Sequence, residues 1–143
     1  MIYTTSSFEE TQKLGEDFAQ KAINGAVLAL HGNLGSGKTT FVQGFAKGLG
    51  ITKNIISPTF IIVRKYNIPK SLIFNLKSFY HIDLYIIENQ KDLESLGIEE
   101  IINDKSNIVA IEWPEKIEKL LPKTKIDIFF EYLKDDKRSI KIQ

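Results

Sequence analysis

No cysteine occurs in the 143 residues. That excludes a disulfide framework, thiolate chemistry and a cysteine-held zinc site. Histidine is limited to His31 and His81, which also leaves little for an imidazole zinc site. Arginine is limited to Arg64 and Arg138, so the chain lacks the arginine clamp that many phosphoryl-transfer enzymes close over their substrate. Net charge is +1, too small for a global field that draws the chain to nucleic acid or a membrane surface. Contact with RNA would need a local patch or a partner. No apolar run approaches the ~18 residues of a membrane span, and the N-terminus has no basic-then-apolar leader. A cytoplasmic protein is the expectation. No repeat, low-complexity segment or linker interrupts the sequence, and the length suits one domain over residues 1–143.

What is present is concentrated in residues 26–40. Ala26-Val27-Leu28-Ala29-Leu30 reads as a buried strand. It enters a glycine-rich turn, and Gly32-Asn33-Leu34-Gly35-Ser36-Gly37-Lys38-Thr39 satisfies G-x-x-x-x-G-K-[ST], the phosphate-binding loop. Each part has a physical task. The glycines let the backbone approach a ligand without a Cβ clash. Successive amide N–H groups line a concave anion site, and the following helix aims its unsatisfied N-terminal donors at the same point. Lys38 supplies a full positive charge, and the Thr39 hydroxyl can ligate Mg²⁺.

In chain order, residues 1–5 suggest an edge strand. Ser7-Phe8-Glu9-Glu10 fits a capping box, and Leu14, Phe18 and Ala22 predict a helix over 8–23, ended by Asn24-Gly25. Phe41, Phe45, Ala46 and Leu49 give the loop helix one apolar face, closed by Gly48 and Gly50. Pro58 makes Ser57-Pro58-Thr59 a loop, and 60–66 read as a strand. Residues 68–77 suggest a hairpin-like turn. Residues 79–86 read as a strand with Phe79, His81, Asp83 and Tyr85 on one face. Short helices are expected around Gly97, a central strand over 108–112, a helix over 114–120 with Pro114 in its first turn, and strands over 126–133 and 138–142. The fold class is therefore α/β, a three-layer phosphate-loop NTPase fold with a mixed, partly parallel sheet and antiparallel edge strands.

A triphosphate site needs a carboxylate near Mg²⁺ at the end of a neighbouring strand. Glu112 ends the apolar run Ile108–Ile111, and Asp83 sits two residues beyond His81. One acid could hold the metal directly and the other through water. Thr59 stands where a switch-like loop could sense the γ-phosphate. His31 reads as a packed histidine, and Trp113 as either a core anchor or a wall of the site.

These stretches together resemble one family. Gly32 to Thr40, Ser57-Pro58-Thr59-Phe60, His81-Ile82-Asp83-Leu84-Tyr85 and Glu112-Trp113-Pro114-Glu115, in this order, are similar to the TsaE (YjeE) ATPases of bacterial tRNA threonylcarbamoyladenosine biosynthesis. The similarity runs nearly end to end. It implies ATP and Mg²⁺ as ligands, with phosphates held by Asn33, Leu34, Gly35, Ser36, Gly37, Lys38, Thr39 and Thr40. It implies the metal on Thr39 and Glu112, with Lys38, Asp83, Glu112 and Thr59 serving hydrolysis. Adenine would lie between Phe8 and the last hairpin, near Arg138. The implied partners are the TsaD and TsaB proteins, whose heterodimer ATP hydrolysis would reset between turnovers, so a weak ATPase stimulated by partners is expected. Direct tRNA contact is left open. Two departures are visible: Ile86 stands where the family usually has arginine, and the stretch between Tyr66 and Phe79 is longer than usual.

Three other readings compete. A small phosphate-loop kinase would need the arginines this chain lacks. A guanine-nucleotide switch is suggested by Thr124-Lys125-Ile126-Asp127, but this T-K-x-D sequence leads into a strand instead of following one. A nucleotide-bound structural subunit would use the same loop without chemistry.

Overall fold

The computed structural model describes residues 1–21, 25–55, 62–69 and 75–143. Seven strands form one sheet: β1 (Ile2–Thr5), β2 (Ala26–His31), β3 (Val63–Asn67), β4 (Ser78–Asp83), β5 (Asn107–Glu112), β6 (Ile126–Tyr132) and β7 (Arg138–Ile142). Their order is β1-β7-β6-β2-β5-β4-β3. The four central strands β6, β2, β5 and β4 run parallel, and β1, β7 and β3 add antiparallel edges. The mixed sheet expected from the sequence is the one observed.

Helices α1 (Phe8–Ala19) and α2 (Lys38–Gly48) cover one face. Between them and the sheet lies a core that includes Leu28, Leu30, Phe41, Phe45, Phe79 and Ile108, all fully buried. On the other face, α3 (Gln90–Ser95), α4 (Ile98–Asn103) and a 3-10 segment (Pro114–Leu120) enclose a smaller core around Ile82, Leu84, Val109 and Ile111. Three layers result.

Local chemistry explains most boundaries. Ser7 caps α1 by accepting from the Glu10 amide at 3.1 Å, while Glu10 reaches back to the Ser6 amide at 2.6 Å. α1 stops earlier than its apolar period suggests: Ala19 is its last helical residue, and Ala22 to Asn24 lie outside the described residues. α2 ends in a Schellman arrangement, in which Ile51 donates to the Ala46 carbonyl, Gly50 donates to that of Lys47, and Gly50 takes φ +85°. Gly50 is thus the stop, and Gly48 has a different task. A Cβ on Gly15, Gly44 or Gly48 would run into backbone of the opposite helix: Phe41, Gln12 and Glu16 respectively. These glycines let α1 and α2 touch main chain to main chain.

Two other boundaries differ from the sequence reading, and one helix keeps its expected bounds but not the α form. β4 ends at Asp83 instead of running to residue 86, because the Asp83 Oδ1 accepts from the Tyr85 amide at 3.0 Å and turns the chain. β6 likewise stops at Tyr132. The segment after Trp113 is 3-10 instead of α-helical, with Ile117 kinked at φ −131°. Of the strand expected over 60–66, the described part is Val63–Asn67.

The glycine seam gives a test. Gly44→Ala is expected to cost about 3 kcal/mol, the upper end for overpacking, because backbone cannot yield as a side chain can. Urea unfolding of wild type and variant measures it; equal stabilities would show that the helices part freely.

Candidate functional site

The site forms where the parallel strands end. Leu30 of β2 pairs with Glu112 of β5, and Glu112 pairs with Asp83 of β4. Both acids therefore finish level with the start of the phosphate loop. In an open α/β sheet such a carboxyl edge is where ligands bind.

The loop is shaped as a cradle. Gly37 caps α2 at φ +107°, and a Cβ there would meet Arg138 Cδ at 2.8 Å. A Cβ on Gly32 would meet the Phe130 carbonyl and Ser36 Oγ, both at 2.7 Å. Among the described residues, the amides of Gly35, Gly37, Lys38 and Thr39 donate to no backbone carbonyl. They remain available as anion donors at a helix N-terminus. The Ser36 hydroxyl is buried without a partner. Asn33 closes the turn by accepting from the Ser36 amide, and Leu34 stands out at 69% exposure.

Lys38 is buried, and its Nζ donates to the Gly32 carbonyl at 2.6 Å. The same Nζ lies 4.2 Å from the centre of the Trp113 ring. Such a desolvated cation–π contact is worth roughly 2 kcal/mol. Trp113 reaches this place through a left-handed backbone, φ +61°, unusual for a bulky residue and costing on the order of 1–3 kcal/mol. It joins the two roles left open by the sequence, touching Lys38 while packing against the smaller core, with Tyr85 packed on it at 5.1 Å between rings. Burial holds the Lys38 ammonium below its ordinary pKa, while Glu112, Asp83 and Glu115 pull it back up.

Opposite the lysine, Thr39 Oγ1 lies 3.4 Å from Glu112 Oε2, and His81 Nε2 lies 2.6 Å from the same oxygen. A hydroxyl and a carboxylate so placed suit Mg²⁺, which takes one or two protein oxygens and completes its shell with phosphate and water. Asp83 is buried beside them, and burial pushes its carboxyl above the usual carboxylate range. The Tyr85 amide opposes that push, the Glu112 charge adds to it, and His81 and Lys38 oppose it.

Two adjoining cavities carry these groups. One, of about 380 Å³, is lined by the loop, Asp83, Tyr85, Glu112 and Arg138. The other, of about 340 Å³, is lined by Ser6, Ser7, Phe8, Thr11, Thr40, Asp136 and Arg138. Thr40 and Arg138 border both. The two residues singled out for the base end, Phe8 and Arg138, thus meet there, although they are far apart in sequence. Arg138 is steadied over the Tyr132 ring at 5.0 Å and by the Asp136 carbonyl at 3.0 Å. A larger cavity of about 460 Å³ lies elsewhere, rimmed by Glu94, Glu99, Glu100, Glu115 and Glu118, a poor setting for phosphates.

Thr59 lies outside the described residues. Asp127 does not join the base end: its carboxylate is taken by His31 at 2.8 Å and Lys125 at 2.6 Å. His31 is packed as expected, stacked on Phe129 at 4.5 Å. The sequence reading missed the contacts of His81 with Glu112 and of Trp113 with Lys38. The His81-x-Asp83 spacing places the histidine on the right face, but its partner lies on another strand.

The family model for "Threonylcarbamoyl adenosine biosynthesis protein TsaE" matches residues 5–140. The chain belongs to the TsaE family. Curated members similar to it include a TsaE protein of Bacillus subtilis, 38% identical over 138 residues that make up 96% of this chain and 82% of that protein. Another is a TsaE protein of Rickettsia prowazekii, 37% identical, covering 96% and 90%. The crystal structure of Bacillus subtilis YdiB superposes with a TM-score of 0.78 at 32% identity, covering 99% of this chain and 83% of that one. The phosphate-loop NTPase architecture of this TsaE-family chain follows from that likeness and from its own topology. No helix among its described residues is long and apolar enough to cross a membrane.

The Asp83 environment yields a stability prediction with a definite sign. The folded carboxyl holds its proton to higher pH than the unfolded one, whose value is 3.8. The fold therefore binds the extra proton in the window above that value, and stability falls as pH rises through it. Asp83→Asn removes the buried charge and keeps an acceptor for the Tyr85 amide. It is expected to stabilise the nucleotide-free protein by ~0.5–2 kcal/mol near pH 7, with the gain shrinking toward pH 4. Urea titrations at both pH values check this; a variant less stable at both would overturn it.

Proposed function

We propose that this TsaE-family chain binds ATP with Mg²⁺ and hydrolyses it, serving tRNA threonylcarbamoyladenosine biosynthesis by resetting a TsaD–TsaB heterodimer between turnovers. The observation that carries the reading is the meeting, at one strand edge, of a free-amide cradle, a buried lysine and a hydroxyl–carboxylate pair. Such a site fits a triphosphate tail better than any neutral ligand.

In this reading the amides of Gly35, Gly37, Lys38 and Thr39 hold the phosphates, and Lys38 turns its ammonium from the Gly32 carbonyl to the β- and γ-phosphate oxygens. Thr39 and Glu112 would hold Mg²⁺, which when bound supplies charge neutralisation on those oxygens. Asp83 orients a water and takes its proton on Oδ2, the oxygen away from the Tyr85 amide; its raised proton affinity suits a base. The water oxygen bonds to the γ-phosphorus as the bond to the β-phosphate oxygen breaks, giving ADP and phosphate. Phe8 and Arg138 flank the base, with adenine favoured over guanine because Asp127 is committed elsewhere. Partner binding couples to this cycle if TsaD–TsaB distinguishes the ATP form from the ADP form. Thr59 is assigned to sense the γ-phosphate.

ATP turnover is expected to be slow alone and faster with the TsaD–TsaB pair. Lys38→Ala and Glu112→Gln should each lower kcat/KM by about 100-fold or more. Equal turnover with and without the pair would refute the coupling, and full activity in Glu112→Gln would refute the metal assignment. Separately, Phe8→Ala should weaken ATP binding about tenfold without changing kcat at saturation. A fall in kcat at unchanged KM would place the base elsewhere.

A further inference from the structure

We propose that His81 is a positioning residue for Glu112, holding the carboxylate toward Thr39 and the phosphate loop before any ligand arrives. The inference rests on the ATP–Mg²⁺ reading above and adds a residue to it.

His81 is 0% exposed, in the middle of β4. An imidazole there costs desolvation that an aliphatic side chain would avoid. Its Nδ1 is buried with no partner among the described residues, so the bond from Nε2 is the one that places the ring. What it does make is one short bond: Nε2–H donates to Glu112 Oε2 at 2.6 Å, a charge-assisted contact between two buried groups. The competing donor to that oxygen, Thr39 Oγ1, is 3.4 Å away and at the limit of a hydrogen bond. The histidine therefore decides where the carboxylate stands. The sheet makes this possible, because His81 pairs with Ala110, whose small side chain lets the ring reach along β5 to Glu112. Groups that orient a metal-binding carboxylate in this way typically change metal affinity 10–100-fold when removed.

The test compares His81→Gln, which keeps an N–H donor on a flexible chain, with His81→Met, which has a similar volume and no donor. Affinity for a non-hydrolysable ATP analogue is measured by calorimetry in EDTA and again in Mg²⁺, and thermal unfolding is followed without nucleotide. Wild type is expected to bind more tightly in Mg²⁺. His81→Met should lose tenfold or more of that metal-dependent gain while its affinity in EDTA stays within twofold of wild type, and His81→Gln should retain most of the gain. If His81→Met keeps the gain, or His81→Gln loses as much as His81→Met, the positioning role is wrong. A His81→Met protein that fails to fold beside a normal His81→Gln makes the bond to Glu112 a requirement of the fold itself and overturns a role confined to positioning. Absence of metal-dependent binding in wild type would instead bring down the ATP–Mg²⁺ reading itself, and this one with it.

Discussion

Asp83, Glu112 and Leu30 stand side by side across three parallel strands, and every charged group of the site takes its position from that register. A slip of one residue in either acid's strand would turn that acid to the opposite face of the sheet. A slip of two would move one acid about 6.6 Å along its strand, beyond reach of Thr39. The register is held by what lies behind it. Phe79, Ile108 and Leu28 are fully buried against α2 on one face, and Ile82, Val109 and Ile111 are buried or nearly so on the other. A parallel sheet covered on both faces has little freedom to slide. The apolar core thus acts as the alignment device for the polar edge.

A second constraint links the two cavities. One cavity belongs to α2 and the strand ends, whereas the other belongs to the start of α1 and to β7. Those elements meet because Gly15, Gly44 and Gly48 remove the side chains that would hold α1 and α2 apart. A buried bond of 2.7 Å between the Thr5 and Thr11 hydroxyls ties β1 to α1, and β1 pairs with β7. The path from Thr40 to Phe8 to Arg138 is then short although the residues span most of the chain. Close helix contact here sets the two cavities side by side.

The parts of this structure legible from sequence are those written locally. The phosphate loop, the Ser7 cap, and strands β2 and β5 each depend on residues within about ten positions of one another. Where the reading went astray, a non-local or side-chain event intervened. Leu84-Tyr85-Ile86 has strand-like composition, but the Asp83 carboxylate captures the Tyr85 amide first. Gly48 looks like a helix stop, whereas its missing side chain is used by another helix. His81 and Glu112 are 31 residues apart, and their contact exists once the β4–β5 register exists. The left-handed turn at Trp113 runs against the usual restriction on a residue before proline, so no propensity argument reaches it. The expectation of adenine near Phe8 and Arg138 came from family resemblance; those two residues, 130 positions apart, line one cavity between α1 and β7, which no local pattern reveals.

The strained and desolvated groups are all on one side of the ledger until a ligand binds. Lys38 is kept below its ordinary pKa by burial, Asp83 is kept above its own for the same reason, and Trp113 carries a backbone conformation a bulky residue rarely adopts. Each lowers the stability of the ligand-free fold. Among the buried groups one lysine faces two acids, with the Arg138 charge at the rim of the same cavity. A polyanion arriving with a divalent cation would change both halves of that balance together: phosphate oxygens meet the lysine and the free amides, and the cation meets Glu112 and Thr39. Neither half fits well without the other, since the phosphates alone would face two carboxylates and the cation alone would face a lysine. On the ATP–Mg²⁺ reading proposed above, the arrangement favours the paired ligand over either component, through groups whose placement costs the empty protein stability.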